Sequence, residues 1–184
     1  MKSKRLFIGI PIEEETTKEL ERLQLQWKEM LGISSDCLLA KADFHLTLHF
    51  LGAIEEEQVS LWFESLEKHA RLKSFNFVLN RFLAFPDISR ARVITLAGAI
   101  GNSPLSHLFY QTAETVEAFG GKIETRVFIP HVTLFRGTGI KIEKPLEVEK
   151  PIEIHIASFA LYESLAGKRE SRYRVLRSFD LTTS

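Results

Sequence analysis

His45-Leu46-Thr47-Leu48 returns 86 positions later as His131-Val132-Thr133-Leu134, so each half of the chain carries one His-x-Thr-Leu tetrad. In an extended strand alternate side chains share a face. That turns His45 with Thr47, and His131 with Thr133, to one side, while Leu46, Leu48, Val132 and Leu134 point into a core. Each tetrad therefore presents an imidazole beside a hydroxyl on a half-buried strand.

The repetition extends outward from the tetrads. Shifted by the same 86 residues, the apolar run Leu6-Phe7-Ile8-Gly9-Ile10 lands on Arg92-Val93-Ile94-Thr95-Leu96. Between strand and tetrad each half has a helical pattern, Thr16 to Leu31 with Leu20, Leu23, Trp27 and Met30, and Ser103 to Phe119 with Leu105, Leu108, Thr112, Thr115, Val116 and Phe119. Two strand-helix-strand units follow, about 5–52 and 91–137. A repeat this long points to two lobes related by approximate twofold symmetry, which would let the two His-Thr faces meet in one cleft.

After the first tetrad, Glu55 to Arg71 reads as a third helix with Val59, Trp62, Phe63 and Leu66 inward. Alternation continues from Phe75 through Leu83 and from Ile152 through Ser158, and a final strand pattern runs from Arg172 to Leu181. Six to eight strands and three main helices are expected, an α+β class. Gly and Pro are scattered, so no linker separates the halves, and the whole chain, 1–184, is read as one bilobal domain.

The 184 residues can bury roughly 70% of the unfolded surface, enough for a core without staples. One cysteine, Cys37, excludes an internal disulfide and a cysteine-cluster metal site. The apolar stretch after Met1-Lys2-Ser3-Lys4-Arg5 ends at Pro11, too short for a signal core or a membrane span, so a cytoplasmic location with no membrane partner is expected. Lys+Arg and Asp+Glu each total 24, so the molecule lacks the basic excess of a protein that coats nucleic acid. The densest basic stretch, Lys168-Arg169-Glu170-Ser171-Arg172-Tyr173-Arg174, reads as a solvated hairpin turn unless it overhangs the cleft.

A facing pair of imidazoles can hold one neutral ring as general base and one protonated ring as general acid near neutral pH. In-line displacement at phosphorus needs that pair: one ring deprotonates the attacking oxygen while the other protonates the leaving oxygen opposite. The Thr47 and Thr133 hydroxyls would steady charge on the non-bridging oxygens. On physical grounds the tetrads are interchangeable, so neither ring is assigned its role by spacing. Two strand histidines at His45 and His49 could also touch a metal with His131, but no carboxylate sits at fitting local spacing. His69, His107 and His155 read as structural or exposed.

Phe44-His45-Leu46-Thr47-Leu48-His49-Phe50-Leu51-Gly52 and Phe128-Ile129-Pro130-His131-Val132-Thr133-Leu134-Phe135-Arg136 resemble the two signature segments of the 2H phosphoesterases, specifically the RNA 2′,3′-cyclic phosphodiesterases, also called 2′-5′ RNA ligases. The resemblance implies two pseudo-symmetric lobes, each a mostly antiparallel sheet with helices outside, and a cleft between the sheets. It implies opening of RNA 2′,3′-cyclic phosphate ends to 2′-phosphate with no cofactor and no metal, and 2′-5′ ligation as the reverse reaction; a monomer is expected. It maps His45 to proton donor, His131 to proton acceptor, and Thr47, Thr133 and Arg136 to substrate contacts.

Strict alternation adds His49 to the cleft face as a substrate contact or rim residue. It also puts Phe135 there, as core or as a base-stacking wall, and leaves Arg136 facing away unless a bulge or strand end near Gly137 swings it back. Arg126 is a second candidate for phosphate or RNA backbone, and Tyr173 a candidate for base stacking. The alternative functions are a 2H phosphoesterase acting on a small nucleotide, such as a cyclic phosphate of ADP-ribose or 2′-5′ oligoadenylate, and a non-catalytic RNA-end binding module.

Overall fold

The structure is a computed structural model, and its description covers residues 2–99, 101, 103–123, 127–165 and 171–183. Nine strands and three α-helices alternate along these residues: β1 Ser3–Pro11, α1 Glu14–Leu31, β2 His45–Glu55, α2 Val59–Glu67, β3 Phe75–Leu79, β4 Arg81–Phe85, β5 Ala91–Ala97, α3 Pro104–Ala118, β6 His131–Ile140, β7 Ile152–Ile156, β8 Ser158–Ser164 and β9 Tyr173–Asp180. The class is α+β, as expected, with one strand more than the expected range. No described helix is long and apolar enough to cross a membrane.

The helices obey their local signals. Glu14 and Glu15 sit at the positive end of α1, Lys28 at its negative end, and Gly32 closes it in the left-handed region at φ 61. Ser103 caps α3 through a reciprocal capping box with Ser106, and Pro104 takes the first turn, where no N–H is needed. Such a cap is worth about 1 kcal/mol.

Two sheets result. The larger has the order β4-β5-β6-β2-β1-β8-β9 and the smaller pairs β3 with β7, all antiparallel. Outward from its centre the large sheet is symmetric in sequence logic: β6 answers β2, β5 answers β1, and β4 answers β8. Among the described residues its halves meet at one pair, Leu46 with Val132, so the two expected sheets are joined edge to edge. Each half also borrows a strand, since β4, which follows the first tetrad, completes the second tetrad's sheet, and β8 does the converse.

That exchange corrects one expectation. Phe75 to Leu83 alternates as if one strand, yet it breaks at Asn80, whose N–H donates to the Ala97 carbonyl. Phe77 and Leu79 are buried before the break and Phe82 after it, so the parity flips where the chain changes sheets.

One face of the large sheet supplies Ile8, Ile10, Leu46, Leu48, Ile94, Leu96, Val132 and Leu134 to the main core, against Leu20 and Trp27 of α1 and Leu105, Leu108 and Val116 of α3. Each such side chain, fully buried, contributes roughly 1.5–3 kcal/mol. On the opposite face Phe7, Ala160 and Tyr162 form a separate small cluster with Tyr173.

A bulge corrects a second expectation, the placing of His49 on the cleft face. Thr47 pairs with Gly9 but His49 pairs with Ile8, which leaves Leu48 as an extra residue and reverses the alternation beyond it. His49 is therefore buried under α3, stacked on Phe109 at 4.4 Å. Its Nε2–H donates to the Phe109 carbonyl at 2.9 Å and the Thr112 hydroxyl oxygen at 3.1 Å. His69 does the same task nearby, 2.8 Å from Thr115 Oγ1, whereas His107 and His155 are exposed.

Burial pushes His49 and His69 below the ordinary histidine value. From about pH 6.5 down to their depressed values the unfolded chain binds the more protons, so stability falls with falling pH and levels off below that window. His49→Ala should cost about 1–3 kcal/mol in denaturant unfolding at neutral pH, by removing a buried ring and its bonds to α3. It should also flatten the acid slope. A stability equal to wild type would show that this tie carries nothing.

Candidate active site

The register slip at Leu48 has a counterpart one repeat on, because Thr133 pairs with Thr95 but Phe135 pairs with Ile94, leaving Leu134 as the extra residue. Over their first ten positions β2 and β6 share one burial sequence, with residues one and three half-buried, two, four and five buried, and six exposed. The displaced Leu134 carbonyl is satisfied by the Leu39 N–H and the Gln24 side-chain amide. Phe135 consequently turns into the core and is fully buried, which settles it as core and removes it as a stacking wall. Arg136 is carried round to the His131 and Thr133 face, as a bulge there requires.

His45 and His131 open their strands and are fixed alike. Nδ1 of each ring lies 2.7 Å from the carbonyl oxygen two residues earlier, Asp43 for one and Ile129 for the other. A carbonyl only accepts, so Nδ1 carries the hydrogen and the neutral ring keeps its lone pair on Nε2. At His45 that atom is 3.0 Å from Thr47 Oγ1, whose hydroxyl donates to it. The Leu46–Val132 pairing is antiparallel. Carried one residue each way, it sets His45 across from Thr133 and His131 across from Thr47.

Both rings are held neutral. Burial lowers His45 to about 4, helped by the charges of His131 and Arg136 and opposed by the Asp43 carbonyl bond and the Asp43 charge. Burial also lowers His131, opposed by the Ile129 carbonyl and reinforced by Arg136. Arg136 thus acts on both imidazoles and His131 on His45, in keeping with the pairing that sets the two tetrads side by side on β2 and β6.

The two sides of this place differ. Around His45 stand Phe7 at 4.9 Å, Tyr162 at 5.6 Å and Tyr173, edge-on, at 4.8 Å, whereas His131 has Phe85 at 5.5 Å. Phe50, which the bulge throws outward at 75% exposure, lies 6.1 Å from Phe7. A cavity of about 470 Å³ opens beside His45, lined by Asp43, Phe44, Tyr162, Tyr173, Lys18 and Lys41 among others.

Arg126 and the basic residues Lys168 and Arg169 lie outside the described residues. Ser171 and Tyr173 of that basic stretch do reach the His45 side, Tyr173 by its ring and Ser171 through a 2.6 Å bond from its hydroxyl to Asp43. Sequence reasoning missed Phe50, Tyr162 and Asp43. Phe50 was detectable, since it precedes Arg136 by the repeat length, whereas Asp43 and Tyr162 gain their meaning only from packing. Among the described residues no three His, Cys, Asp or Glu side chains are grouped to hold a metal ion.

The chain is similar to known proteins. The protein-family model described as LigT like phosphoesterase matches residues 10–95. A relative from Methanocaldococcus jannaschii named RNA 2′,3′-cyclic phosphodiesterase is 30% identical over 182 residues, covering 95% of this chain and 99% of its own. One of the same name from Thermotoga maritima is 30% identical over 178 residues, covering 94% and 92%. The crystal structure of E. coli LigT complexed with 3′-AMP superposes with a TM-score of 0.80 at 23% identity over 98% of this chain and 99% of that one. A structure from Thermus thermophilus superposes at 0.72 with 26% identity, over 96% and 97%.

If Arg136 depresses both imidazoles, Arg136→Met should raise the pH at which both rings titrate by NMR. Titration curves that overlay those of the unaltered protein would place the guanidinium away from the pair.

Proposed function

The chain belongs to the LigT-like phosphoesterase family, and from that membership we propose that it hydrolyses the 2′,3′-cyclic phosphate ends of RNA to 2′-phosphates, using His45 and His131 as acid and base. One observation carries the reading: two imidazoles on equivalent strands, each pinned at Nδ1 so that Nε2 is the working atom, with one guanidinium acting on both.

A cyclic phosphodiester is a monoanion. Entering beside Arg136 and two neutral rings, it favours protonation of one ring, which offsets the burial penalty that keeps the pair uncharged in the empty site. Water then attacks phosphorus, His131 Nε2 takes its proton, the bond to the 3′ oxygen breaks, and His45 Nε2–H protonates that oxygen. A 2′-phosphate and a free 3′-hydroxyl result. Arg136, Thr47 and Thr133 would receive the non-bridging oxygens, where negative charge grows. With a 5′-hydroxyl in place of water, the same steps form a 2′-5′ linkage.

The asymmetry of the aromatic surroundings supports placing the nucleoside on the His45 side. Leaving oxygen and ribose belong to the same nucleotide, and Phe50, Tyr162, Tyr173 and the adjoining cavity offer its base faces to stack on. The exchange of β4 and β8 supports reading 1–184 as one working unit, since neither half completes its sheet alone.

A purified sample given a 2′,3′-cyclic-phosphate oligonucleotide should release a 2′-phosphate end. His45→Ala and His131→Ala should each lose about 10²–10⁴-fold in kcat with unchanged circular dichroism. Folded variants that turn over normally, or a 3′-phosphate product, would overturn the assignment. Because bound substrate raises the proton affinity of His45, the basic limb of kcat should lie at higher pH than that of kcat/KM, which reports the empty enzyme. Coincident limbs would contradict the charge argument.

A further inference from the structure

The two imidazoles share strand position, bulge, backbone bond and threonine, but not the residue behind the ring. Two positions before His45 stands Asp43, and two before His131 stands Ile129. Both lend the same carbonyl, yet Asp43 adds a carboxylate that is only 2% exposed. That carboxylate accepts from Ser171 Oγ at 2.6 Å and from the Arg172 N–H at 2.9 and 3.1 Å. These donors are a hydroxyl and a backbone amide, so neither cancels its charge.

We propose that Asp43 is the positioning residue that makes the site directional: it sets a buried negative charge behind His45, committing that ring to the proton-donor role, and fastens the start of β9 to the loop that carries it. The inference rests on the acid and base pairing proposed above. It turns roles that are interchangeable in the tetrads into roles dictated by an isoleucine on one side and an aspartate on the other.

The groups facing His45 leave this task to Asp43. His131 and Arg136 on β6 are basic and disfavour a second positive charge, Tyr162 on β8 and Tyr173 on β9 contribute ring contacts, and Lys18, Lys41 and Glu14 line the cavity beyond. Asp43 is the acid among the groups that act on the ring, and it acts in the direction that favours imidazolium. Its counterpart Ile129 carries no charge, which suits a ring that must be neutral to accept a proton. The Ser171 and Arg172 bonds also bring Tyr173 edge-on to His45, so the same carboxylate orders one wall of the site.

The test is NMR titration of both rings in the full chain, with and without inorganic phosphate, in the unaltered protein, Asp43→Asn and Ser171→Ala. Loss of the charge in Asp43→Asn should lower the titration of His45 by about one pH unit and leave His131 within a few tenths. Ser171→Ala, which keeps the carboxylate, should leave His45 near its original value. The basic limb of kcat should move down with His45 in Asp43→Asn alone. An unmoved His45, or an equal shift in Ser171→Ala, would reduce Asp43 to a structural anchor.

If Asp43→Asn does not fold, the unaltered protein still decides. Inorganic phosphate should then raise the titration of His45 more than that of His131; an equal or larger rise in His131 would overturn the proposal. The NMR readouts need no turnover, so a failure there is separable from a failure of the phosphodiesterase reading, which would show as an uncleaved cyclic-phosphate oligonucleotide.

Discussion

Everything at this site depends on one pair of residues touching across one sheet. Leu46 and Val132 are the only described pairing between β2 and β6, and on either side of it lie His45, Thr47, His131 and Thr133. An antiparallel contact there brings each imidazole opposite the other strand's hydroxyl, with no loop involved in the placement. The backbones next to the chemistry are thus held by the core: Leu46 and Val132 are fully buried, as are the aliphatic side chains of β1 and β5 flanking them. A site on strands braced this way keeps its geometry better than one on loops.

The repeated bulge is the second constraint. At the slip beside each tetrad one extra residue, Leu48 or Leu134, lets a single run of chain serve two faces in turn: the tetrad's histidine and threonine face the site, two consecutive side chains enter the core, and the following residue returns to the site. The same device yields unlike results because the returning residues differ. On β6 it delivers Arg136, a cation, and on β2 it delivers Phe50, a flat apolar surface. A symmetric backbone thereby gains a charged side and an aromatic side, which suit the phosphate and the nucleoside of the proposed substrate.

Much of this was legible in the chain. The His-x-Thr-Leu repeat located both catalytic candidates, Ser103 and Phe119 bounded α3 to within a residue, and the match of 6–10 with 92–96 anticipated β1 and β5. Period-two reasoning failed where strands are irregular. It carried His49 and Phe135 to the wrong face because a bulge leaves no mark in residue type; Leu48-His49 and Leu134-Phe135 look like ordinary strand. It also merged β3 with β4, since Asn80 flips the parity without a glycine or proline to announce it. Asp43 was invisible for another reason: its importance comes from Ser171 and Arg172, well over a hundred residues away.

A crystal structure with a nucleoside 2′,3′-vanadate, which mimics the five-coordinate phosphorus of in-line displacement, would interrogate the convergence of the two rings directly. His45 Nε2 and His131 Nε2 should each lie within hydrogen-bond distance of one apical oxygen, on opposite sides of vanadium, with the nucleoside on the His45 side and Arg136 on an equatorial oxygen. A vanadate touching one ring only, or seated away from the Leu46–Val132 joint, would contradict it.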